Sequence, residues 1–279
     1  MWRLYEASGH RGAVTGHHGL PARATATIES HYRVAGPWTV ATADVGTAYK
    51  LHYPADLGVG GFRHPIITWG NGTNAVPSQY SGVLNQLASW GFAVVASTDK
   101  TTGTGSEMID AARYLVDRNA DPASVFYGKL DVTKVGAVGH SQGAGGSVNT
   151  ATKSGGLITS VVPIALPAPG LVGSGDRFFV DQLTCPVLFL SGSNDWLISP
   201  HSAVQGYYNA VSGAAAKAML KGAGHNTIQG SGGGFLGYLT AWLMYTLQGD
   251  STARGAFVGS PPEIGTNPSW ENAAQKSLP

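Results

Sequence analysis

From about Thr47 onward, short runs of apolar and β-branched residues alternate with longer stretches whose apolar positions recur at helical spacing. That alternation predicts strands over Thr47 to Tyr53, Pro65 to Trp69, Phe92 to Ser97, Val135 to Val138, Val161 to Ile164, Val187 to Leu190 and Ala216 to Leu220. Helices are expected over Ser81 to Trp90, Glu107 to Asn119, Gln142 to Lys153 and Phe235 to Leu247. In the second of these, Met108, Ile109, Ala112, Leu115 and Val116 share one face, and in the last Leu236, Leu239, Trp242, Leu243 and Leu247 form an apolar stripe that reads as core. Strands and helices in this order build an α/β fold with a mostly parallel central sheet and helices on both faces. No linker-like shift divides the chain, so residues 25–259 read as one domain, 1–24 as an N-terminal arm and 260–279, rich in proline and polar residues, as a C-terminal tail over the surface.

Composition narrows the picture. Hydrophobic residues make up 43% and charged ones 12%, enough for a large core under a surface of small uncharged groups, a balance that points outside the cell. The first residues lack the apolar stretch of a signal peptide, so a secreted protein would carry a leader not present in this sequence. Lys and Arg (17) nearly cancel Asp and Glu (16) without a basic run, which argues against nucleic acid or an anionic membrane as partner. No stretch approaches the length of a membrane span. The single cysteine, Cys185, sits before an apolar strand and reads as buried and structural. The histidines are scattered and no zinc-binding spacing occurs, so neither metal nor cofactor is expected; His17 and His18 belong to the arm.

The chemistry concentrates at strand ends. Gly139-His140-Ser141-Gln142-Gly143 is a Gly-x-Ser-x-Gly string set between an apolar strand and a helix, the context in which a serine is held on a tight turn as a nucleophile. Its two glycines are needed where side chains would strike the adjacent strand and helix. A serine hydroxyl needs a base, and the base needs a third group to hold its tautomer. Asp195 follows the strand ending at Leu190 and His225 the strand ending at Leu220, giving the order Ser, Asp, His. Asp99 is a rival acid, and His140 reads as packing. Donors for the developing oxyanion are expected from the backbone N–H of Gln142 and, in the loop after Trp69, of Asn71, with Gly72 close behind. Trp69 and Trp196 stand as substrate wall or as packing, with Gly72 and Leu197 as further candidate contacts.

With these residues placed, the stretch from Ala48 to Val258 resembles the bacterial cutinases and poly(ethylene terephthalate) hydrolases, together with chlorophyllase-like and dienelactone-hydrolase-like esterases of the α/β-hydrolase superfamily. The likeness rests on Leu87-Ala88-Ser89-Trp90-Gly91-Phe92-Ala93-Val94-Val95, on Leu130 to Gly136 leading into the serine turn, and on Ala241-Trp242-Leu243 followed by Asp250 to Arg254. The resemblance implies a serine ester hydrolase acting on small or polymeric esters through Ser141, Asp195 and His225; no long helical segment lies between the strand near Val161 and Asp195, so no lid domain is expected, and a monomer is expected as well. Departures fall on the substrate side. Gln142 replaces the usual Met and Asn71 the usual aromatic, Ala165 to Pro169 lacks the family's Trp, and Val258-Gly259 leaves no partner for its C-terminal disulfide.

Overall fold

The computed structural model describes residues 26–279. Nine strands form one sheet: β1 (Val40–Val45), β2 (Tyr49–Pro54), β3 (His64–Gly70), β4 (Ala93–Ser97), β5 (Leu130–His140), β6 (Ser160–Ile164), β7 (Val187–Gly192), β8 (Ala215–Leu220) and β9 (Trp270–Lys276). Their spatial order is β1-β2-β4-β3-β5-β6-β7-β8-β9. The six strands from β4 to β8 run parallel, while β1, β2 and β9 are antiparallel additions at the two margins. Six helices matter here: α1 (Thr27–Arg33), α2 (Ser81–Ser89), α3 (Ser106–Ala120), α4 (Gln142–Lys153), α5 (His201–Ala210) and α6 (Leu236–Gln248).

Side-chain alternation along the parallel strands divides the core in two. Ile67, Trp69, Val94, Val138 and Leu188 face α2 and α6, whereas Ile66, Val95, Val135, Ala137 and Phe189 face α3, α4 and α5. Because both faces are covered, the central strands read as continuous apolar runs rather than alternating ones. Between β6 and β7 the chain forms only short 3-10 turns, so no helical lid stands over the strand ends among the described residues.

Several elements go beyond the sequence reading. These are the short helix α1, the margin strand β1, α5, whose start His201 does mark, and two one-turn helices at Ser251–Arg254 and Glu263–Thr266. The segment read as a surface tail holds β9, whose residues pair with β8 from Ala215↔Lys276 to Leu220↔Trp270. The N-terminal arm with His17 and His18 lies outside the described residues. Cys185 is partly buried, and burial pushes its thiol up to about 12, as fits a structural residue.

Candidate active site

All the candidate residues lie at the carboxyl ends of the parallel strands, where an open α/β sheet forms its crevice. Ser141 stands between β5 and α4 with φ 58° and ψ −118°, a left-handed strain for a side chain other than glycine. The turn holds because its neighbours carry no side chains. A Cβ on Gly139 would lie 2.0 Å from the Gly143 carbonyl oxygen, and one on Gly143 would lie 2.2 Å from that of Gly70. The serine N–H donates to the Ile164 carbonyl at 3.0 Å, locking the turn to β6.

The loops after β7 and β8 are latched to each other. Asn194 N–H donates to the Ala223 carbonyl at 2.9 Å, Gly222 N–H donates to Ser193 Oγ at 2.7 Å, and a Cβ on Gly192 would meet the Ala223 carbonyl at 2.2 Å. This latch sets Asp195, nearly fully buried, against the imidazole of His225, with Oδ2 at 2.7 Å from Nδ1. On the other side of the ring, His225 Nε2 lies 2.9 Å from Ser141 Oγ. An ionised carboxylate only accepts, so Nδ1 carries the ring proton and Nε2 presents its lone pair to the serine hydroxyl. Asp99 makes no such contact: its Oδ1 accepts from Thr101 N–H and Oγ1, both at 2.9 Å, within its own loop.

A cavity of about 360 Å³ opens over Ser141. It is lined by Ser141, Gln142 and Thr73 and by apolar Leu171, Val172, Phe178 and Ile198.

Two comparisons bear on this arrangement. A family profile described as PETase, PET hydrolase-like, matches residues 16–275. The chain belongs to the PET hydrolase-like family. A bis(hydroxyethyl) terephthalate hydrolase from Streptomyces coelicolor is 24% identical to it over 245 residues, covering 83% of this chain and 73% of that protein. Family membership places the protein among hydrolases that act on esters.

Within this PET hydrolase-like chain, the structure bears differently on each remaining candidate. Asn71 is fully enclosed, and its backbone N–H, the donor expected from the sequence, has no acceptor among the described residues. Its side-chain amide donates to the carbonyls of Ser97 at 2.7 Å and Asp99 at 3.1 Å, and its Oδ1 accepts from Trp69 Nε1 at 3.2 Å. These bonds make it the inner anchor of its loop. Gly72 is also buried, with its N–H donating to the Tyr80 hydroxyl at 2.9 Å. The loop residue that reaches the cavity is Thr73, whose N–H finds no acceptor among the described residues. Trp69 has no exposed surface and is core, not substrate wall. Trp196 and Leu197 are each 70% exposed on the acid loop, outside the cavity wall, and that loop contributes Ile198 instead.

The sequence reading missed two features. Asp176 lines the cavity as the sole charged residue in its wall among the described residues, held at 3.2 Å by Gln142 Nε2. Gly103 makes room for it, since a Cβ there would fall 2.5 Å from the carboxyl carbon. His140, read as packing, is bonded at both ring nitrogens: Nδ1 lies 2.8 Å from the Tyr80 hydroxyl, and Nε2 lies 2.7 Å from the His225 carbonyl oxygen. Burial, helped by the nearby His225, lowers its pKa to about 4 and keeps the ring neutral. No motif announces either role, because the partners lie far apart in sequence. Among the described residues no group of His, Cys, Asp and Glu converges as a metal site, and no helix is long and apolar enough to cross a membrane.

Proposed function

We propose that the protein is a serine carboxylic ester hydrolase that works through an acyl-enzyme on neutral esters, polyesters included. The observation that carries this reading is the chain of contacts from Ser141 Oγ to His225 Nε2 at 2.9 Å and from His225 Nδ1 to Asp195 Oδ2 at 2.7 Å. Ser141 Oγ attacks the ester carbonyl while His225 Nε2 takes its proton, and Asp195 stabilises the imidazolium that forms. The oxyanion is met by the N–H of Gln142 and by an N–H of the loop after β3, from Asn71 or from Thr73, neither of which has an acceptor among the described residues. Gln142 opens α4, so its N–H has no carbonyl one turn earlier and the positive end of the helix dipole lies beside it. Each such donor lowers the barrier by about 3 kcal/mol. The imidazolium then protonates the leaving alkoxide, and water repeats the sequence on the acyl-serine to release the acid.

The substrate class follows from the cavity. Apolar Leu171, Val172, Phe178 and Ile198 suit an apolar or aromatic acyl part, while the Asp176 carboxylate disfavours an anionic substrate. With no helical lid among the described residues the cleft lies open, as an extended polymer chain requires. Action outside the cell as a monomer belongs to the same proposal.

The test is turnover of p-nitrophenyl esters of increasing chain length and of a polyester film by the parent and by Ser141→Ala, with labelling by a serine-directed phosphonate. All turnover and labelling should vanish in the variant. Turnover that survives there would place the reaction elsewhere; hydrolysis of small esters but not film would narrow the substrate class, and ester transfer to an added alcohol in preference to water would make the protein an acyltransferase.

A further inference from the structure

Behind the Ser141, His225 and Asp195 contacts runs a second hydrogen-bonded chain that joins three loops of the site. Its directions follow from elimination. The His225 carbonyl oxygen only accepts, so His140 Nε2 carries the ring proton and donates to it at 2.7 Å. The neutral ring then offers Nδ1 as acceptor, so the Tyr80 hydroxyl donates to it at 2.8 Å. The phenolic oxygen in turn accepts from Gly72 N–H at 2.9 Å. Gln229 Nε2 approaches the same oxygen as a second donor at 3.5 Å. Gly72 is suited to the junction because a Cβ there would stand 3.0 Å from the Tyr80 oxygen and 3.2 Å from His140 Nδ1.

We propose that Tyr80 and His140 are positioning residues that set the Thr73 loop, the serine turn and the His225 loop in register, and that hold an uncharged ring beside the base. The proposal rests on the serine-hydrolase reading above. Each end of the chain touches a group one step from the reaction: Gly72 precedes Thr73, His140 precedes Ser141, and the bonded carbonyl belongs to His225 itself. The Tyr80 turn is also tied to the base loop, with Gly230 N–H donating to the Gln79 carbonyl at 2.8 Å. The His140 ring lies 4.8 Å from that of His225, centroid to centroid. A second cation there would oppose the imidazolium that must form during turnover. The ionisable groups that face His140 are Tyr80, His225 and Asp195, and burial, with His225 beside it, disfavours a second ring proton.

Tyr80→Phe deletes the hydroxyl and keeps the ring, which is fully buried and lies 4.9 Å from that of Trp69. On a soluble p-nitrophenyl ester its kcat, normalised to the sites titrated by the phosphonate, should fall about tenfold while KM stays within about a factor of two. His140→Ala should lose at least as much, and His140→Gln, which restores an N–H donor toward the carbonyl, should recover part of it. Parental kcat per titrated site in Tyr80→Phe would overturn the proposal, as would equal kcat in His140→Ala and His140→Gln. If the parent hydrolyses no ester, the hydrolase reading fails; if the parent and Ser141→Ala behave as expected while Tyr80→Phe turns over normally, only the positioning role fails.

Discussion

The site has two sides built in different ways. On one, the serine turn, the acid loop and the base loop are joined by close backbone approaches and by hydrogen bonds of 2.7 to 3.0 Å, and the groups they hold are largely buried. On the other, the rim between β6 and β7 is short 3-10 turns with exposed Leu171 and Phe179, and Gly170, Gly173 and Gly175 have open space around them. The contrast teaches that the contacts among Ser141, His225 and Asp195 are fixed by the sheet, while the rim between β6 and β7 leaves space for side chains to change without disturbing them.

The sharpest way to break this comparison is Asp195→Asn. It should lower kcat by about 10⁴ with the fold intact, because the amide favours the wrong imidazole tautomer. Near-parental turnover would show that the acid loop does not orient the base and would return attention to Asp99. Gly143→Ala and Gly170→Ala test the two sides directly. The first drives a methyl into the Gly70 carbonyl and should cost about 3 kcal/mol in urea unfolding, whereas the second meets nothing within 4 Å and should leave stability within about 0.5 kcal/mol of the parent. Equal effects would erase the distinction.

The third test uses acid. His140 has a pKa of about 4 in the folded protein against 6.5 for the free side chain, so the unfolded chain binds the extra proton between those values. Its contribution to stability is present above pH 6.5 and is lost as pH falls toward 4, on the order of 3 kcal/mol. Urea unfolding at pH 7 and pH 4 should show a smaller acid loss in His140→Gln, and the same loss in both proteins would contradict the buried neutral ring. The smallest effect is expected on the rim side. Asp176→Asn should raise turnover of a half-ester bearing a free carboxylate about fivefold relative to the neutral diester. An unchanged ratio would remove Asp176 from substrate choice.

What the sequence made legible follows the same division. The turn around Ser141, the alternating elements and the strand-end placement of Asp195 and His225 are local patterns with a mechanical cause, and the structure brings these three residues together. The oxyanion loop was harder, because Gly-Asn-Gly-Thr does not reveal that Tyr80 occupies the N–H of Gly72 or that Asn71 turns inward toward Ser97. Tyr80, His140 and Asp176 gain their roles through contacts with His140, His225 and Gln142, tens of residues away. β9 escaped notice since Trp-Glu-Asn-Ala-Ala-Gln-Lys is poor in β-branched residues, and pairing with β8, not intrinsic preference, makes it a strand.

That last strand has a consequence for biosynthesis. Every residue of β8 is buried, and β8 delivers the loop that bears His225. Until Trp270 to Lys276 leave the ribosome, β8 has an open flank of unpaired amides and carbonyls, inviting a neighbouring nascent chain to dock there. The imidazole therefore reaches its place only once β9 has emerged, so a chain stalled or clipped before Trp270 should be both inactive and prone to clump.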